Sequence, residues 1–418
     1  MAAKAEAAAN PSPSWSDLPM DILLSILQRL HLPEAVAFAS VCTSWCSAAT
    51  AAGVPRSCTP MIMSWRDLLR SRKGRGAKCN SVVACNFRHL HDVHKTYDVW
   101  FPPGFSFVAC CGSSHGWLIL VNQQANLVLY NPFTSGMIHL PPITDFSCVE
   151  AVYGSQGSVE AYRFQRNRVY DAKFLATWFY QKGVLSCSPS KGADYVVMII
   201  HRDTDWLSFV RAGENKWQVA STLVVREEDR YADCVYHNGM FYTVTFQGVV
   251  ERWDLDAPDG PAKEVIFAKI SHSVHILTRH LVPTPWGDLL EVRALRARCK
   301  RMYPNGVMFQ ILKIDPDGCN KVPLVSPVAL LREHAIIIGL NHSACLSTEN
   351  FSKLRPSCIY FSAPWMIVTC HLLQRCPEWG GVRTYDLEKR SFEHAFPLCV
   401  HKDCLNPPPS EVWITPNV

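Results

Sequence analysis

Three groups of residues in this sequence have types and spacing suited to chemistry. Gly112-Ser113-Ser114-His115-Gly116 satisfies the G-x-S-x-G pattern, in which a strained turn presents a serine nucleophile, here Ser114. Such an elbow needs a strand before the serine and a helix after it. Trp117 to Val121 reads as a strand instead, so the glycines are expected to serve a turn and Ser114 no catalysis. His89, His91, Asp92 and His94, with Cys79 and Cys85 upstream, are zinc-ligand types, as are Cys399, His401 and Cys404. Neither spacing matches a standard tetrahedral site, so loop histidines and buried thiols are expected, with no metal and no cofactor. P-loop, G-x-G-x-x-G and H-E-x-x-H patterns do not occur.

The third group is cationic: Arg70, Arg72, Lys73, Arg75 and Lys78, then Arg293, Arg296, Arg298, Lys300 and Arg301. Either cluster could meet phosphate or an acidic partner. The net charge is only +5 over 418 residues, and the other basic residues are scattered, so solvated loops are expected and nucleic acid is not. Of the tryptophans, Trp117, Trp206 and Trp253 lie in strand-like runs and are expected in the core. Trp286, Trp365 and Trp379 lie in loops and are expected at the surface.

With 48% hydrophobic and 18% charged residues the chain can build a sizeable core. Its apolar runs, such as Tyr195 to Ile200, fall far short of a bilayer span, so no membrane association is expected. Residues 1–14 are rich in Ala, Pro and Ser, lack the apolar stretch of a secretory signal and read as a disordered tail. Eighteen cysteines without a Cys-x-x-Cys pair read as reduced, buried thiols, consistent with the nucleus or cytoplasm.

The elements that must position these residues are of two kinds. From Trp15 to Ala52 the pattern is helical. Pro19 suits a first helical position, Asp21 complements the helix dipole, and Ile22, Leu23, Ile26, Leu27 and Leu30 recur at helical spacing. Leu32-Pro33 breaks and restarts the helix, after which Val36, Val41, Cys42 and Trp45 supply further apolar positions. So short a helical module cannot bury all of that surface by itself. The spacing Leu18-Pro19, Ile22-Leu23, Ile26-Leu27, Leu30, Val41-Cys42, Trp45 resembles the F-box, apart from an alanine-rich middle from Ala35 to Ser40. The resemblance implies docking onto a Skp1-type adaptor, and through it a cullin, by Leu18, Pro19, Ile22, Leu23, Ile26, Leu27, Leu30, Leu32, Val36, Val41, Cys42 and Trp45.

From about Phe105 the punctuation becomes that of strands, with short β-branched and aromatic runs between Gly, Asn, Asp and Pro turns. Trp117 to Val121, Leu127 to Tyr130 and Met137 to Leu140 form one meander. Looser copies follow around residues 195–220, 234–255, 288–315 and 358–387, which indicates a β-propeller with long insertions. Gly112 to Leu118, Tyr130-Asn131-Pro132-Phe133-Thr134, Gly339-Leu340-Asn341-His342-Ser343, Cys358 to Phe361 and Val412 to Pro416 resemble the plant KIB-type β-propeller that follows F-boxes.

The expected fold class is therefore α+β and multidomain: a tail over 1–14, an F-box over 15–52, a linker and propeller start over 53–104, and an irregular, mainly-β propeller of roughly six blades over 105–418. The tail strand Glu411 to Thr415 has no neighbour in sequence to pair with. It is expected to close the ring on an early edge, either Met61-Ile62-Met63 or Tyr97 to Phe101. The function implied by both resemblances is that of a non-catalytic substrate receptor of an Skp1-cullin-F-box ubiquitin ligase, whose target the sequence leaves unassigned. The rivals are an enzyme built around Ser114 or the histidines at the propeller axis, and a nucleic-acid scaffold built on the basic loops.

Overall fold

The computed structural model describes residues 14–30, 32–52, 54, 60–64, 84–89, 92–165, 168–192, 194–202, 205–223, 229–268, 276–296, 307–315, 317, 320–324, 326–351, 354–362, 382–394 and 411–414. The chain divides into two compact units, Met1–Arg56 and Ser57–Val418.

The first unit holds a single 3-10 turn at Trp15–Asp17 and three helices, α1 (Met20–Leu27), α2 (Leu32–Phe38) and α3 (Thr43–Ala51). Pro19 caps α1, where a missing N–H goes unnoticed, and its carbonyl accepts from Leu23 N–H at 3.1 Å. Leu23 and Leu27, one turn apart, point inward and meet Ala35, Phe38, Ala48 and Ala49. The alanines permit the close approach of α2 and α3 that lets so small a unit close a core at all.

The second unit is strand upon strand. Its first blade contains β1 (Met61–Ser64), β2 (Ala84–His89) and β3 (Asp92–Trp100). The second contains β4 (Phe107–Ser114), β5 (Trp117–Asn122), β6 (Leu127–Tyr130) and β7 (Met137–His139). A three-stranded sheet then intervenes, β8 (Val149–Tyr153), β9 (Val159–Phe164) and β10 (Arg168–Asp171), followed by the short helix α4 (Ala172–Ala176). The third blade is β11 (Tyr180–Leu185), β12 (Val196–His201), β13 (Trp206–Arg211) and β14 (Gln218–Thr222). The fourth is β15 (Tyr231–His237), β16 (Met240–Thr245), β17 (Val250–Asp254) and β18 (Ala262–Phe267), and the fifth β19 (Ile276–Pro283), β20 (Leu289–Arg296), β21 (Val307–Asp315) and β22 (Asn320–Pro323). After the helical turn α5 (Pro327–Leu330) come β23 (His334–Ile338), β24 (Ala344–Ser347), β25 (Cys358–Ser362), β26 (Val382–Asp386) and β27 (Ser391–His394) of the sixth, and finally β28 (Glu411–Ile414).

Among the described residues this makes six blades of four or five strands plus the side sheet. The innermost strands β28, β4, β11, β15, β19 and β24 follow one another around the axis. The ring is closed by the tail: β28 pairs antiparallel with β1 in the register Met61↔Ile414, Ile62↔Trp413, Met63↔Val412. Of the two edges anticipated, the one at Met61 is used, because β3 lies on the far side of the same sheet. Trp413 is fully buried and meets Tyr360 of the sixth blade edge-on at 6.1 Å. The sixth blade departs from a simple meander, since β23 and β25 run parallel and β24 folds back inside them.

Gly112 and Gly116 have different jobs, although both were expected to serve a turn. Gly116 and His115 do form the two-residue turn, at φ 80° and 50°. Gly112 lies within β4, where a Cβ would collide with the carbonyl of Gly183 in β11, so its lack of a side chain sets how closely blades two and three approach.

Candidate functional site

In the helical unit, the residues expected to face an adaptor divide by exposure. Leu23 and Leu27 are spent on the unit's own core, Leu18, Ile26, Leu30, Val36, Cys42 and Trp45 are half-buried, and Pro19, Ile22 and Val41 are exposed. The side chain of Leu32 lies outside the described residues. Trp45 acts as a strut: its ring packs on Phe38 with centroids 4.3 Å apart, and its indole N–H donates to the Trp15 carbonyl at 3.0 Å. The turn it supports is fixed by a reciprocal cap between Ser14 and Asp17. As a result four large apolar side chains stand in solvent on a unit of about three helical segments: Trp15 at 76% exposure, Val41 at 57%, Met20 at 46% and Ile22 at 44%. The sequence reading passed over Trp15 and Met20, although their position beside the Leu18-Pro19 step was a usable signal. Cys42 caps α3, and the Trp45 backbone N–H foremost lowers its thiol pKa.

In the propeller the inner strands bring polar groups together at the axis. The Lys182 ammonium of β11 pairs with the Asp233 carboxylate of β15, both buried, and donates to the Gly339 carbonyl at 3.3 Å. Asp233 also accepts from Leu281 N–H of β19 at 2.8 Å and lies 3.6 Å from His280. Burial pushes the carboxyl of Asp233 up, but Lys182 and His280 outweigh it and hold the group below its ordinary range. One ion pair thereby joins blades three to six. Within blade five, Glu291 is surrounded by Arg279 at 2.5 Å, Arg293 at 2.7 Å and Lys321 at 2.7 Å. Burial opposes its charge, yet the three cations bring its pKa to about 2. Arg279 further donates to the Phe246 carbonyl and Lys321 to that of Gly248, which clasps the β16–β17 turn. Arg293, expected in a solvated loop, is thus a largely buried strand residue. Arg296 also lies on β20, and Arg298, Lys300, Arg301 and the Arg70–Lys78 cluster fall outside the described residues.

Ser114 is fully buried. Its hydroxyl donates to the Leu185 carbonyl at 3.4 Å and accepts from Leu185 N–H at 3.1 Å, so it fastens β4 to β11 and touches no general base. Ser113 does the same toward the tail, donating to the Trp413 carbonyl. Of the candidate metal ligands, His89, Asp92 and His94 fall on the β2–β3 hairpin and Cys85 is buried in β2. His91, Cys79, Cys399, His401 and Cys404 lie outside the described residues. Among the described residues no three His, Cys, Asp or Glu are placed to share a metal, and no helix is long and apolar enough to cross a membrane. The ten described cysteines are free, and burial raises the thiol pKa of Cys110 and Cys345 to about 12. Trp117 and Trp253 are buried, Trp206 is half-buried beneath the Arg202 guanidinium, and Trp286 is exposed; Trp365 and Trp379 are outside the described residues.

Comparison with known proteins places residues 87–387 under the KIB1-4 beta-propeller family and residues 15–53 under the F-box domain. Three F-box proteins of Arabidopsis thaliana are similar. One is 31% identical over 134 residues, 32% of each chain. Another is 25% identical over 267 residues, 60% of this chain and 61% of its own, and a third 24% identical over 370 residues, 84% and 85%. The chain thus spans less than two thirds of the length of the first two. Among solved structures, a protein of unknown function from Bacteroides caccae covers 80% of this chain and 92% of its own at 10% identity and a TM-score of 0.33, a likeness too slight to bear on fold or function.

Proposed function

Since the chain belongs to the KIB1-4 β-propeller family and carries an F-box domain, we propose that it is the substrate-recognition subunit of an Skp1-cullin-F-box ubiquitin ligase, acting in the nucleus or cytoplasm. The helical unit docks on the adaptor and the propeller holds the target protein. Catalysis is by proximity: tethering the target beside the ubiquitin-charged enzyme raises effective concentration, and this chain needs no nucleophile, base, metal or cofactor of its own. The observation that carries this reading is that Trp15, Met20, Ile22 and Val41, four large apolar side chains on one small folded unit, stand in solvent, a load that a partner surface would cover. The burial of Ser114 and its bonding to backbone alone support the non-catalytic assignment.

The test uses the full chain and a purified Skp1-type adaptor. Ile22→Lys together with Val41→Lys should weaken binding by about 100-fold, the scale of losing two apolar anchors. Full-length protein that does not bind the adaptor, or a double variant that binds as well as wild type, refutes the docking assignment.

A further inference from the structure

The segment Gly339–Ser343 that links β23 to β24 reaches three other blades. Its Gly339 carbonyl accepts from Lys182 of blade three at 3.3 Å. The backbone N–H of His342 donates to the Ser113 carbonyl of blade two at 2.6 Å. The His342 imidazole Nε2 sits 3.1 Å from both the backbone N–H and the carbonyl of Tyr236 in blade four. The Asn341 amide braces the turn by donating to the His342 carbonyl at 2.8 Å. Gly339 is required at its position, because a Cβ there would run into the Ser362 hydroxyl of β25. Leu340, Asn341 and Ser343 are buried, and His342 as a residue is half-buried.

The groups facing His342 come from three elements. His115, in the β4–β5 turn, has its ring centroid 5.6 Å away; Lys182 stands on β11; Tyr236 and Asp233 belong to β15, with Asp233 already committed to Lys182. A second positive charge here would confront the Lys182 ammonium and, once protonated, His115. The Tyr236 N–H would also lose its acceptor, since a protonated imidazole has none, and the bond that Nε2–H could then donate to the Tyr236 carbonyl at 3.1 Å is outweighed by desolvation and the neighbouring charges.

We propose that Gly339–Ser343 is an acid-releasable latch, which holds blades two, three and four to blade six while His342 is neutral and lets go when His342 takes up a proton. It closes the ring from the axis, as β28 closes it from the sheet. Desolvation by the surrounding strands, then His115 and Lys182, hold the imidazole below its ordinary value in the latched state. A released His342 would titrate near 6.5. The released state therefore binds more protons as pH falls: latching is at full strength above about pH 6.5 and weakens about tenfold per pH unit below it, for one proton.

The experiment is amide hydrogen exchange on the full chain between pH 7.5 and 5.0, each rate corrected for its pH-dependent intrinsic value. The amides of His342 and Tyr236 should lose protection by about tenfold per pH unit below about 6.5, while amides in the middle strands β5, β12 and β20 keep theirs. His342→Gln, which retains a hydrogen-bonding amide but cannot titrate, should abolish the pH dependence of the Tyr236 amide. Latch protection that is constant over this range, or that falls in step with the middle strands, overturns the proposal, and the wild-type profile alone decides that point. A dependence that persists in His342→Gln assigns the effect to another group and overturns it equally.

Discussion

The two units invert each other's relation to water. The helical unit leaves Trp15, Met20, Ile22 and Val41 in solvent, whereas the propeller hides Lys182, Asp233, Arg279 and Glu291 from it. Both choices cost free energy in the isolated chain, and the compensations differ. Exposed apolar side chains are stabilised only by a partner, so they mark where the molecule is incomplete. Buried charges are stabilised within the chain, by a counter-charge and backbone groups on neighbouring blades, and they mark where it is fastened. A unit of about forty residues has little core to spare, while a ring of blades has a polar axis because its inner strands present backbone groups and polar or charged side chains such as Lys182 and Asp233 to one another.

This contrast predicts that stability resides in the propeller's fastenings and not in the helical face. The largest effect should follow deletion of Glu411–Val418. It removes the buried Val412, Trp413 and Ile414 together with the inner strand of the first blade, and should cost about 5 kcal/mol or more in denaturant unfolding of the propeller, with adaptor binding preserved. A truncated chain that melts with the intact one would show that β28 contributes no closure. Next comes Lys182→Met, which leaves the buried Asp233 carboxylate without its ammonium partner, with only backbone N–H groups and His280 beside it, and should cost about 3–5 kcal/mol. Adding Asp233→Leu should recover most of that loss, and failure to recover would mean that packing, not unpaired charge, sets the cost. Ser114→Ala should cost about 1 kcal/mol through the lost tie to Leu185, with ubiquitin transfer to the target unchanged; lost transfer in a stably folded variant would restore a chemical role for this serine. At the other pole, Ile22→Lys with Val41→Lys should leave thermal stability within about 0.5 kcal/mol of wild type while binding collapses. A large drop in melting temperature would mean that this face is structural after all.

Much of this was legible in the sequence. The helical stretch from Trp15 carries a 3.6-residue apolar period, and the middle strands of the blades, such as Trp117–Asn122, Val196–His201 and Met240–Thr245, carry runs of β-branched and aromatic residues. Both are local patterns, set by which face each element must bury. The closure by the tail was legible for the same reason: a strand pattern isolated by prolines must find a distant edge. The innermost strands were not legible at full length. Phe107–Ser114, Tyr180–Leu185 and Ile276–Pro283 contain Gly, Ser, Lys, Arg and His where a strand pattern would place apolar residues. At the axis the neighbour of a side chain is another blade, so what suits each position depends on residues about 50 or more places away, as Lys182 depends on Asp233 and Ser114 on Leu185. The side sheet β8–β10 was also missed, because its strands mix exposed charged residues with few buried ones, and in the sixth blade the parallel pairing of β23 with β25 follows no adjacent turn. The sequence by itself determined the helical segments, the middle strands of the blades, that a short helical module precedes a strand-rich one, and that the tail must pair far away. Only the tertiary structure decided which apolar residues of the helical unit remain in water and which charges the propeller buries, because both are settled by cross-chain packing and counter-charges, which have no local signature.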